Sequence, residues 1–106
     1  MGGQWVNEAD AKVSIYDLSV SQGAAAFEMT RSFGPQHFKL REHLQRLQAS
    51  CVSLQIPLAY TLDELEALCH EVTVRNLEAF DPTDEHRLMI VASPGCPPMY
   101  KDLAGT

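Results

Sequence analysis

The chain has 106 residues, 45% hydrophobic and 21% charged, with a formal net charge of −6. That size and mixture suit one globular domain with a single core, and the acidic balance argues against a nucleic-acid partner, which would call for a basic patch. No apolar run is long enough to span a bilayer and no signal-peptide pattern marks the start, so no membrane association is expected.

In chain order, Trp5-Val6 is a short apolar pair ahead of a polar turn over residues 7–10. Residues 12–16 predict a strand with Val13 and Ile15 on one face, and residues 17–22 a loop that Gly23 leads out of. From residue 26 to 33 the chain alternates, with Phe27, Met29, Arg31 and Phe33 on one face and Ala26, Glu28, Thr30 and Ser32 on the other. Arg31 is thus a cation in line with large apolar residues. Gly34 and Pro35 supply a turn, and a short second strand follows around His37-Phe38-Lys39.

The period then changes to that of a helix. Leu40, Leu44, Leu47, Cys51 and Leu54 stack in one stripe suited to burial. At roughly 100° per residue, His43 and Ser50 fall beside the stripe and Arg46 a little further round the same flank. That shoulder can hold an anion while the helix stays packed, because a guanidinium offers two parallel charge-assisted hydrogen bonds. It is equally the place for an arginine that only pairs with an acidic neighbour.

Ile56-Pro57 ends this helix. Thr61-Leu62-Asp63-Glu64 is a capping box opening a second one, with Leu62, Leu65, Cys69, Val72 and Ala79 or Phe80 as its stripe and an end before Asp81-Pro82. Residues 86–93, with Leu88, Met89, Ile90 and Val91, predict a buried strand, and a Gly/Pro-rich tail follows. The expected fold is α+β, a two-layer sandwich with a mostly antiparallel sheet and two helices on one face. Its other face bears either the Phe27 set or the Ala26 set. Phe27, Met29 and Phe33 would serve as the domain's own core, or as a partner surface if left uncovered. The three cysteines are odd in number and widely spaced, which suggests reduced thiols and a cytoplasmic setting. His37, His43, His70 and His86 match no zinc spacing, so no metal is expected.

Phe27-Glu28, then Arg31, the turn, and His43-Leu44-x-Arg46-Leu47-x-x-Ser50 together resemble the N-terminal domain of the class IV (fold type IV) aminotransferases. This family includes branched-chain and D-amino acid aminotransferases and aminodeoxychorismate lyase. The resemblance runs from Val13-Ser14-Ile15-x-Asp17 to Arg87-Leu88-Met89-Ile90-Val91, and Gly23-Ala24-Ala25-Ala26 sits closest to the branched-chain type. It implies pyridoxal 5′-phosphate as cofactor, amino acid and 2-oxo acid substrates, and a homodimer. Residues 1–106 would be the small N-terminal domain, with the Schiff-base lysine on a C-terminal domain that this chain lacks. Lys12, Lys39 and Lys101 do not match that lysine, so no catalytic residue is assigned here and the chain alone is expected to be inactive. By the resemblance, Arg46 grips the cofactor phosphate, and Phe27, Met29 and Arg31 line the substrate pocket, the two sets forming half of one wall. Glu28 is expected to be structural, and Arg87 matches a recurrent arginine. The alternatives are a lyase acting on an aminodeoxychorismate-like substrate and a non-catalytic α+β module that binds a protein through its open sheet face.

Overall fold

A computed structural model describes residues 3–33, 36–79, 81 and 83–100, the side chain of Tyr100 excepted. The expected turn at Gly34 and Pro35, Phe80 of the second helical stripe, and the tail beyond residue 100 lie outside the described residues. The chain divides into two compact units, residues 1–24 with 93–106, and residues 25–92.

In the first unit, α1 (Leu18–Ser21) is a single helical turn where the sequence suggests a loop. Its cap explains it. Asp17 Oδ1 accepts the Ser19 N–H at 2.9 Å, the Ser19 hydroxyl at 2.6 Å and the Ser93 hydroxyl at 2.5 Å. Burial works to raise the Asp17 carboxyl, but these bonds outweigh it and hold the group below its ordinary value. The strand expected over residues 12–16 is not formed. Residues 15 and 16 make a turn, Ile15 is 73% exposed, and no strand lies beside them among the described residues. Without a neighbour to take its backbone groups, an alternating pattern cannot become a strand.

In the second unit, β1 (Ala26–Phe33) is central in a three-stranded antiparallel sheet, between β2 (Gln36–His37) and β3 (Glu85–Ala92). The helices α2 (Leu40–Ser53) and α3 (Leu62–Arg75) form the second layer. Leu40, Leu44, Leu47 and Cys51 are buried as the leucine stripe predicts, together with Ala26, Ile56, Leu65 and Cys69. Leu54 is exposed instead of buried, because α2 ends a turn early. Gln55 adopts a left-handed φ of 57°; its N–H donates to the Val52 carbonyl and that of Ile56 to the Cys51 carbonyl. This is a Schellman motif, and it turns Ile56 back onto the core in place of Leu54. It carries glutamine where glycine is usual, so no residue in the sequence announces it.

The capping box of α3 forms as predicted, the Glu64 N–H donating to Thr61 Oγ1 at 3.2 Å and the Thr61 N–H to Glu64 Oε1 at 2.9 Å. The helix stops at Arg75 rather than near residue 79, and a 3-10 turn takes over at Leu77–Ala79. Asn76 ends it by donating from Nδ2 to the Val72 carbonyl at 2.7 Å. The inward position of the last turn is held by Thr73, which is buried.

Candidate functional site

Strand alternation sorts β1 into two faces, and the sorting is the reverse of a simple hydrophobic expectation. Ala26, Glu28, Thr30 and Ser32 are buried, while Phe27, Met29, Arg31 and Phe33 are exposed, Phe27 by 64%. The polar set can go inside because each member bearing a hydrogen-bonding side chain has partners there. His37 is the hub of one group. Its Nε2 lies 2.7 Å from Thr73 Oγ1, whose single proton is already committed to the Cys69 carbonyl at 2.9 Å. The imidazole therefore donates from Nε2, and Nδ1 accepts the Ser32 hydroxyl at 2.7 Å. Burial pushes the His37 imidazole below its ordinary value, and the nearby His70 and His86 lower it further.

Glu28 is the centre of a second group. It is 7% exposed; its Oε1 accepts from His43 Nδ1 at 2.8 Å, and its Oε2 lies 3.6 Å from Arg46 Nε. The second distance is an ion-pair approach rather than a hydrogen bond. The Arg46 side chain is 72% exposed, so nitrogens beyond Nε are open to a ligand. Arg46 thus occupies the helix shoulder that the spacing predicts. Arg41, on the solvent face of α2, is spent differently, donating to Asp63 at 2.9 Å and Glu66 at 2.8 Å.

The outward face is formed by β1 and β3 together. Their register sets Phe27 opposite Val91, Met29 opposite Met89 and Arg31 opposite Arg87. Phe27, Met29, Phe33, Met89 and Val91 are all exposed large hydrophobics. Arg31 Nε pairs with Glu85 Oε1 at 3.1 Å. A contiguous exposed apolar patch of this kind marks an interaction site, and the arginines give it a preference for anions.

The residues expected in one wall are therefore divided. Phe27, Met29 and Arg31 share the outward face, whereas Arg46 stands on the helix-covered side of β1 beside Glu28. Strand alternation puts the two sets on opposite faces of β1. Along the edge of β1 away from β3, the two-residue β2 pairs with Ser32 and Phe33 alone, and residues 26–30 have, among the described residues, no paired strand on that side. Two features escaped the sequence reading. Arg87 was matched to a recurrent arginine of the family but not placed with the substrate-facing set, although its parity with Met89 and Val91 puts it on their face. The Glu28 cradle needed the packing of α2 on β1 to be known.

Known proteins resemble this chain along most of its length. The family described as Amino-transferase class IV matches residues 25–105. A putative branched-chain-amino-acid aminotransferase of Methanocaldococcus jannaschii is 36% identical over 78 residues, covering 73% of this chain and 27% of its own length. A D-alanine aminotransferase of Staphylococcus epidermidis is 33% identical over 76 residues, covering 72% of this chain and 27% of its own. The branched-chain amino acid aminotransferase from Escherichia coli superposes with a TM-score of 0.76 at 28% identity, over 88% of this chain and 31% of that one. The chain spans about a quarter of the length of the curated relatives it matches. With the family's profile covering most of it, the helix–sheet unit in hand and these relatives in agreement, the chain belongs to the class IV aminotransferase family.

Proposed function

We propose that residues 1–106 are the small N-terminal domain of a pyridoxal 5′-phosphate-dependent amino acid aminotransferase of branched-chain type. In the whole protein it would transfer an amino group between an amino acid and a 2-oxo acid. The observation that carries this reading is the outward sheet face, apolar along most of its length and cationic at one end. An amino acid with an aliphatic side chain has the matching chemistry, with a hydrocarbon body and a carboxylate.

When bound, the cofactor supplies an electron sink for bond breaking at the substrate's α-carbon. The chain's own groups bind and orient. Arg46 fits a phosphate, being exposed and held only at its Nε side. Phe27 and Met29 offer apolar surface against a substrate side chain and keep water from it. Arg31 and Arg87 stand directly opposite each other, which like charges tolerate poorly, and Glu85 balances one of them. A substrate carboxylate placed between them relieves the remaining repulsion. Phosphate at Arg46 and substrate at Phe27 and Arg31 are compatible if the cofactor lies across the open edge of β1. The lysine-bearing C-terminal domain, a cytoplasmic setting and a homodimer complete the proposal; Cys51, Cys69 and Cys96 are all free thiols.

The test is an amino-donor screen on the full-length protein supplied with pyridoxal 5′-phosphate. Amino transfer from leucine, isoleucine or valine to a 2-oxo acid is the expected result. Release of pyruvate from an aminodeoxychorismate-like substrate without amino transfer would favour the lyase reading, and no reaction with either would favour the binding module.

A further inference from the structure

A carboxylate on the covered face of a strand is costly unless it is paired, and Glu28 is both well covered and doubly approached. The strand supplies the acid and α2 supplies both neighbours. His43 and Arg46 are three residues apart, so they lie on one side of the helix and reach the same carboxylate. An ionised Glu28 can only accept, so His43 donates from Nδ1, and its ring is thereby fixed in one orientation. One oxygen of the acid is thus immobilised, and the other faces Arg46 Nε at 3.6 Å.

An exposed arginine ordinarily samples many rotamers, and a ligand that binds it must first stop that motion. Here the Nε side of the guanidinium has an anchor. The rest of the side chain is exposed, which leaves the Nη donors, a parallel pair of the kind that grips a phosphate on two oxygens, accessible to a ligand. We propose that Glu28 is a positioning residue for Arg46: locked by His43, its carboxylate holds the Nε side of the guanidinium so that the Nη side meets the cofactor phosphate already aimed. This rests on the assignment of Arg46 made above. Glu28 is more than a structural acid on this view, because its second oxygen serves a group that the core does not need.

A carboxylate so close has an opposing effect, since its negative charge lowers the potential that attracts an anion to Arg46. Aiming and attenuation predict opposite outcomes when the charge is removed. The apo form of the full-length protein is titrated with pyridoxal 5′-phosphate and, separately, with pyridoxal, which lacks the phosphate, and binding is followed by cofactor absorbance. Glu28→Gln should weaken pyridoxal phosphate binding about fivefold, the scale of an ion pair with one exposed partner, and leave pyridoxal binding unchanged. Unchanged or tighter binding of the phosphate form overturns the proposal. In an Arg46→Ala background Glu28→Gln should add nothing, and a further loss there would also overturn it. Arg46→Ala alone separates the two readings. If it leaves phosphate-dependent affinity intact, the Arg46 assignment and this inference fall together; if it weakens affinity and Glu28→Gln does not, only this inference falls. Should Glu28→Gln fail to fold, Glu28→Asp and His43→Gln carry the test. Each loosens the anchor and should lower the preference for the phosphate form over pyridoxal, and an unaltered preference in both refutes the positioning role.

Discussion

Replacing His37 by leucine keeps much of the side-chain volume and removes both ring nitrogens. In the native chain those nitrogens serve Ser32 and Thr73, each at 2.7 Å. Ser32 is fully buried and would lose its hydrogen-bond acceptor, whereas Thr73 keeps the Cys69 carbonyl. An orphaned buried hydroxyl costs roughly 1–3 kcal/mol and a lost neutral hydrogen bond roughly another 1, so the substitution should destabilise the chain by about 2–4 kcal/mol. Urea denaturation reads this as a lower midpoint with an unchanged slope. The same residue carries a pH dependence. Burial, reinforced by His70 and His86, holds the folded imidazole below 6.5, its ordinary value. The groups around it are Thr30 and Ser32 from β1, His86 from β3, and His70 and Thr73 from α3. Because the unfolded chain binds the proton more readily, this part of the stability is complete above pH 6.5 and is lost as pH falls from there through the lower folded value. The wild type should therefore weaken over that interval and His37→Leu should lack this contribution. An unchanged urea midpoint, or the same acid dependence in both proteins, would refute the argument.

Other consequences are simpler to read. Leu44 is fully buried between the helices and the sheet, so Leu44→Ala should cost about 3–5 kcal/mol in the same urea experiment, with a loss below 1 counting against a close-packed core. Thr61→Ala removes half of the capping box and should cost about 1 kcal/mol, seen as a lower thermal midpoint. Burial, with some help from Glu66, pushes the Cys69 thiol up to about 11, while Cys96 is only partly covered. Alkylation of the native protein near neutral pH, mapped by mass spectrometry, should label Cys96 well before Cys69.

The parts of the fold that were legible in the sequence are those where one local rule acts alone. The leucine stripe located α2 and its buried face, the Thr61–Glu64 box fixed the start of α3, and alternation fixed which β1 residues travel together. Alternation could not say which set goes inside. Hydrophobicity favours Phe27, Met29 and Phe33, and the chain buries Glu28, Thr30 and Ser32 instead, because His37 from the neighbouring β2 and His43 from α2 satisfy them. The strand pattern at Val13 and Ile15 misled because period-two alternation describes a strand's faces and not whether it has a neighbour. The end of α2 was hidden because Gln55 takes a conformation that usually calls for glycine. For the site, the family resemblance singled out Arg46, Phe27, Met29 and Arg31, but their division between the two faces of β1 depends on the helix layer. The pairing of Arg31 with Arg87 depends on a register between strands more than fifty residues apart.

The outward sheet face is the heart of the functional account, and substrate kinetics question it directly. In the full-length protein, Arg31→Met and Arg87→Met should each raise the KM for the 2-oxo acid about tenfold, the scale of one lost charge-assisted contact, with kcat changed far less. A KM that stays at its wild-type value in both variants would contradict the placement of substrate on this face.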